Sequence, residues 1–249
     1  MTPTWHLIDG AEGCAFAARH GLSVIVVDAL RASATAAMLL HHGATQITVV
    51  GSVEDARTLR KQDPEALLFG ERGGIPPEGF DGGNSPRETA AATGRRVIFT
   101  TTNGAQRLIE AAEAPCVCFG TTTNARAVAQ FALAHPAGAV LVPAGLEGAP
   151  PDAATEDRAA AAYIAQVAGV ALGEGADIAR AFASQLTPEG LQEVFAAAPH
   201  ATAMRTIGLD DDIAWCARID QCSAVPHVLR YDRDGGITRA ILANATGAR

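Results

Sequence analysis

One short string occurs twice in this chain, as Thr100-Thr101-Thr102-Asn103-Gly104 and as Thr121-Thr122-Thr123-Asn124-Ala125. Each copy follows a brief apolar run and leads into an alanine-rich stretch. Threonine hydroxyls, together with the free N–H groups that open a helix, make a surface suited to an anion. Only the first copy carries a glycine, Gly104, where a ligand could come close to the backbone. Thr101, Thr102, Asn103 and Gly104 are therefore expected to face an anionic substrate. The second copy reads as a structural cousin, with Asn124 as a cap beside the same site and Arg126 reaching inward.

Three more polar segments fall where apolar runs end. Val27-Asp28-Ala29-Leu30-Arg31 closes a very apolar run with a carboxylate and, three residues on, an arginine. Gly70 to Glu88, GERGGIPPEGFDGGNSPRE, exceeds the ~12–15 residues beyond which a loop in a compact domain is usually functional. Ser85 and Glu88 there read as helix caps, with Gly94 as the stop, which leaves Glu71, Arg72, Asp81 and Asn84 unexplained by turn chemistry. Glu156 and Asp157 open a helix, where acidic residues also simply offset the helix dipole. Carboxylates without clustered His or Cys are hard oxygen donors of the kind Mg²⁺ takes. The seven histidines show no metal-binding spacing, and Asp210-Asp211-Asp212 reads as a solvated cap.

These segments need strand ends to stand on. Short apolar runs recur at Leu22 to Val27, Gln46 to Val50, Leu67 to Phe69, Val97 to Phe99, Cys116 to Phe119 and Ala139 to Val142, with helical patterns between them. That alternation predicts an α/β fold, three layers with a mostly parallel sheet between helices. Ligands in such folds collect at the carboxyl ends of the strands. Ser52 with Asp55 and Asn103 with Gln106 read as helix-capping pairs. Beyond Gly145 the chain turns helix-rich, starting with a helix from Glu156 to about Val167. Ser223–Tyr231 and Gly236–Leu242 flank a turn and read as a closing hairpin. The expected organisation is a lobe over residues 1–145 carrying the site loops, and a part over 146–249 packed onto it as one compact unit.

A net charge of −8 argues against nucleic acid or an anionic membrane as partner. No apolar run reaches the ~18 residues of a membrane span. Five cysteines without a CxxC, and a start unlike a secretory signal, point to reduced thiols in a cytoplasm. A homodimer is the default assembly. The GxxxxGK[ST] phosphate loop is absent, and so are the DxDxT and Cys-x5-Arg patterns of two other phosphatase chemistries.

VVDALRAS, GERGG, GFDGGNSPRE, TTTNGAQ, NARAVA, AGLEG, Glu156-Asp157 and GLDDDIAWCARID occur in an order that resembles the Mg²⁺-dependent 2-phosphosulfolactate phosphatases, from about Leu22 to Pro226. The resemblance implies hydrolysis of 2-phospho-3-sulfolactate to 3-sulfolactate, a step toward coenzyme M in organisms that make it. It implies Asp28 as a metal ligand and catalytic residue, with Glu71, Asp81, Glu156 and Asp157 as further ligands. Arg31 and Arg72 would clamp phosphate or sulfonate, and Asn84, Ser85 and Arg87 would touch substrate. Two alternatives stay open: a phosphatase for another small 2-phospho acid, and a non-catalytic protein that binds phosphate or sulfonate.

Overall fold

The computed structural model describes residues 4–245. In chain order its regular elements begin with β1 (His6–Leu7), α1 (Gly10–His20), β2 (Ser23–Val27), α2 (Ala32–His41), β3 (Gln46–Val50), α3 (Val53–Gln62) and β4 (Leu67–Gly70). There follow β5 (Arg96–Thr100), α4 (Gly104–Glu110), β6 (Val117–Phe119), α5 (Ala125–Leu133) and β7 (Ala139–Pro143). The helix-rich stretch holds α6 (Thr155–Ala168), α7 (Ala176–Ala181), α8 (Pro188–Ala197), α9 (Pro199–Arg205) and α10 (Asp210–Cys216). The chain closes with β8 (Pro226–Asp234) and β9 (Ile237–Asn244).

All nine strands form one sheet, in the order β1-β7-β2-β6-β8-β9-β3-β5-β4. The ladders that join β1, β7, β2 and β6 are parallel, as are those that join β3, β5 and β4. The fold is thus α/β with a mostly parallel sheet, as the alternating pattern predicts. The hairpin β8–β9 does not cap an edge. It pairs antiparallel with β6 on one side and β3 on the other, and so joins the two parallel halves. Gly145 therefore marks no division of the sheet, since the two strands that follow it sit between two groups of strands that precede it.

Strand composition explains which faces are covered. β2 is buried at every position, as a strand covered on both faces must be. Its Ile25 and Val27 pack with α5, α6 and α8, while Val24 and Val26 join a second core with α2 and α4. Ile47, Val49, Val97 and Phe99 from the other half enter that same second core. The sheet therefore wraps around α2 and α4. Twist of about 20–25° per strand accumulates to roughly 100–125° over the five steps from β2 to β5. The carboxyl ends of β2 and β5 meet at one corner for that reason, although their halves run in opposite senses along the ladder.

Two predicted caps differ. Ser52 accepts from Asp55 N at 3.0 Å as expected. The helix expected from Ser85 to Gly94 is instead a turn followed by one 3-10 turn, Ala90–Ala92. The Ser85 hydroxyl is engaged elsewhere, and the short TAAAT run has no apolar stripe to hold a longer helix. At α4 the capping group is Thr101, whose Oγ1 accepts from Ala105 N at 3.1 Å, while Gln106 turns to Glu110. All five cysteines are unpaired.

Candidate active site

At the corner where the halves meet lies a cavity of about 440 Å³, with Asp28, Arg31, Glu71, Asn84, Thr102, Asn103, Glu147 and His200 on its walls. Asp28 leaves the end of β2, and the turn after it folds back. Asp28 Oδ1 accepts from Ala32 N at 3.0 Å, and Oδ2 accepts from Gly104 N at 2.9 Å. Gly104 is indispensable here, because a Cβ would stand 2.7 Å from Asp28 Oδ2 and 2.9 Å from the Ala32 Cβ. The close approach that this glycine permits is thus made by a carboxylate of the protein itself.

Glu71 follows β4 through Gly70, whose φ of +144° excludes other residues and where a Cβ would collide with the Thr100 carbonyl. Its Oε1 accepts from Thr102 N at 2.7 Å, and Oε2 accepts from Gly74 N at 2.9 Å. The N–H groups of the first threonine turn, expected to meet substrate, are therefore taken by Glu71 and Asp28. The turn holds two carboxylates side by side. Asn103 Oδ1 accepts from Glu147 N at 2.9 Å, and Asn103 itself lines the cavity.

Arg31 is 3% exposed. Nη1 lies 2.6 Å from Asp212 Oδ2, and Nη2 donates to the Gly74 carbonyl at 2.7 Å. Ser85 Oγ donates to the other Asp212 oxygen at 2.7 Å, and Arg87 stands 3.9 Å from it on the outside. Neither Ser85 nor Arg87 lines the cavity; they hold Asp212, which holds Arg31. Asp212 corrects the reading of Asp210–Asp212 as a solvated cap: Asp210 and Asp211 are exposed, but Asp212 is buried. Its spacing carried the signal, since it stands four residues before buried Cys216.

Several predicted site residues lie elsewhere. Asp81 is a correction: Oδ2 accepts from Leu68 N at 2.8 Å and pairs with Arg60 at 2.7 Å, closing the open edge of β4. Asn124 is another, fully buried, with Oδ1 accepting from Thr121 N and Nδ2 donating to the Ala224 carbonyl. The second threonine turn fastens the segment before β8 onto the sheet, and Arg126 pairs with Asp220 on the surface. Thr101 is buried under α4 as its cap. Arg72 lines a neighbouring cavity of about 480 Å³, where the Gly51 and Glu71 carbonyls and Thr100 Oγ1 accept from it.

Asp157 and Glu156 sit behind the cavity wall and do not line it. Asp157 accepts from Ala29 N at 2.7 Å and Gly145 N at 3.1 Å, tying the turns after β2 and β7 together. Burial, with the charges of Glu156 and Asp28, pushes its carboxyl well above the usual range. Burial raises Asp28 as well, with the Glu71 charge adding to it, against the two N–H donors and His200. Glu156 Oε1 meets His200 Nδ1 at 2.9 Å. His200, placed by Pro199 at the first position of α9, gave no signal in the sequence.

Among the described residues no three His, Cys, Asp or Glu side chains are arranged to enclose a metal ion by themselves. The cavity nevertheless presents hard oxygen donors. Asp28 and Glu71 keep lone pairs beyond those given to N–H groups, and Asn84 Oδ1 is buried with no partner among the described residues. That set suits an ion that completes its coordination with water and ligand oxygens.

Fold and site together define an α/β enzyme whose acidic, arginine-backed cavity sits at the carboxyl ends of its strands. The chain belongs to the 2-phosphosulpholactate phosphatase family, whose sequence profile matches residues 14–230. It is 35% identical to a probable 2-phosphosulfolactate phosphatase of Carboxydothermus hydrogenoformans, over 82% of this chain and 85% of that one. It is 39% identical to one so named from Thermus thermophilus, over 83% and 87% of the two chains. For one from Deinococcus radiodurans the figures are 36%, 84% and 88%. The protein is accordingly a phosphoric monoester hydrolase. No helix among the described residues is long and apolar enough to cross a membrane.

Proposed function

We propose that this chain hydrolyses the phosphate monoester of 2-phospho-3-sulfolactate, giving 3-sulfolactate and phosphate, with Mg²⁺ as cofactor. The observation that carries the reading is the pair Asp28 and Glu71, fixed on one turn by Gly104 N and Thr102 N. Two carboxylates facing one cavity repel an anion unless a cation lies between them. Asp28, Glu71 and Asn84 Oδ1 would hold Mg²⁺, which when bound neutralises phosphoryl oxygens and acidifies a water. A protein that only binds anions has no use for this pair.

The chain's own groups supply the rest. Arg31, fixed by Asp212 and Gly74, offers its remaining N–H donors to the phosphoryl or acid oxygens. Thr102 and Asn103 form the polar lip between the two cavities. Both Asp28 oxygens already accept backbone N–H bonds, which blunts the carboxylate as a nucleophile and favours attack by water. A burst of phosphate release with trapping of a phosphorylated aspartate would reject direct attack.

A second reading, a phosphatase for a smaller 2-phospho acid, gains from the position of Arg87 and Arg126 outside the cavity, where neither meets a sulfonate. A panel of phosphosulfolactate, phospholactate and phosphoglycolate, assayed with Mg²⁺ and with EDTA, separates them. Preference for phosphosulfolactate by about tenfold or more in kcat/KM, roughly the net worth of one hydrogen bond, supports the first reading. Equal turnover of all three supports the second, and undiminished turnover in EDTA removes the metal.

A further inference from the structure

We infer that His200 is the acid that protonates the departing alcohol oxygen, and that Glu156 is the positioning residue that orients it. The inference rests on the 2-phospho-acid reading. A phosphate ester of a 2-hydroxy acid releases an aliphatic alkoxide, secondary in phosphosulfolactate and phospholactate, that is too basic to depart readily without a proton. The cavity walls offer few donors for one. Asp28 and Glu71 are each held as acceptors by two backbone N–H groups. Arg31 does not release its protons. Glu147 is exposed at the rim.

His200 differs from all of these. Its Nδ1 is 2.9 Å from Glu156 Oε1, which among the described residues leaves Nε2 without a hydrogen-bond partner, on a residue that lines the cavity. Glu156 is fully buried, and among the described residues its Oε2 has no hydrogen-bond partner. A carboxylate so placed is costly unless a cation answers it, and the imidazolium is that cation. A proton-transfer group oriented by a buried second group is the arrangement that acid–base catalysis uses.

The charged groups facing the imidazole are Glu156 from α6, and Asp28 and Arg31 from the β2–α2 turn. Burial works against the charge, yet the hydrogen bond and charge of Glu156, with Asp28, outweigh burial and Arg31 and raise its pKa. In the net step, the bond from phosphorus to the C2 oxygen breaks and its electron pair stays on that oxygen. The His200 Nε2 proton passes to it, giving the alcohol. Oxygen from water joins phosphorus, one of its protons stays on the phosphate and the other passes to solvent, and the neutral imidazole regains a proton from solvent.

The test measures kcat and KM against pH for wild type, His200→Gln, His200→Asn and Glu156→Gln on whichever 2-phospho acid the wild type turns over. Both His200 variants should lose kcat by about 100-fold or more, with KM within about threefold of wild type, and should lose the alkaline fall of the profile. Glu156→Gln, which keeps the imidazole, should move that fall to lower pH, and it carries the test if a His200 variant fails to fold. A raised KM with kcat intact, a kcat within about threefold of wild type, or an unmoved alkaline limb overturns the inference. Wild type inert toward every 2-phospho acid rejects the functional reading instead, so the two failures are distinct.

Discussion

Asp28 and Glu71 are acceptors before they are anything else, and the backbone that feeds them tolerates little change. In Gly104→Ala a methyl group would lie against the Asp28 carboxylate, so the turn must shift and release one oxygen. We expect a loss of about 1–3 kcal/mol in urea denaturation, with a larger proportional loss of turnover. Asp28→Asn should abolish turnover while the circular-dichroism spectrum persists, because the neutral side chain removes a negative charge that the proposed cation needs. Arg31 and Asp212 are both buried, so Asp212→Ala strands a guanidinium. Chemical denaturation should register about 3–5 kcal/mol, and the double variant with Arg31→Met should recover part of it.

At the scale of elements, Asp157 acts as a strap from α6 to the turns after β2 and β7. Asp157→Ala should leave the Ala29 and Gly145 N–H groups unpaired, and amide hydrogen exchange should speed up there first. How much of this the sequence disclosed depended on what each element does locally. The runs of β2, β5 and β7 were readable because burial on both faces demands unbroken apolar residues. Ser52 was readable because its hydroxyl bonds three residues ahead. Asp81, Ser85 and Asn124 were misplaced because a short polar residue after a strand looks alike whether it meets a ligand, an edge N–H or a neighbouring loop. His200 reaches the cavity, and Asp212 the guanidinium of Arg31, through the packing of α9 and α10; spacing to Cys216 marked Asp212 as buried, but no local pattern marked His200.

Across the whole molecule, three buried groups titrate in one direction. Asp28 and Asp157 are raised, chiefly by burial, and His200 is raised by Glu156 despite burial. Each has a folded pKa above its unfolded one, so its stabilising contribution is complete below the unfolded value and is lost as pH climbs through the folded value. For the carboxyls that loss begins near pH ~4, and for the imidazole near ~6.5. Burial lowers His6 and His42, whose contribution instead grows as pH rises to about 6.5. In EDTA, Tm should therefore fall most clearly between about pH 6.5 and about pH 8. Saturating Mg²⁺ should oppose the fall and raise Tm most at the alkaline end, where both site carboxylates are charged. A Tm that climbs over that range in EDTA would contradict the upward shift of all three groups.

The central position of β8 and β9 reaches into the protein's synthesis. Translation delivers Asp28, Glu71 and the threonine turn long before the two strands that knit their separate sheets into one. A nascent chain paused near Gly145 already owns these active-site loops and the core around α2 and α4, but its two parallel halves still lack the strands that join them, along with Asp212 and His200. We expect hydrolytic competence to wait for that last stretch of chain.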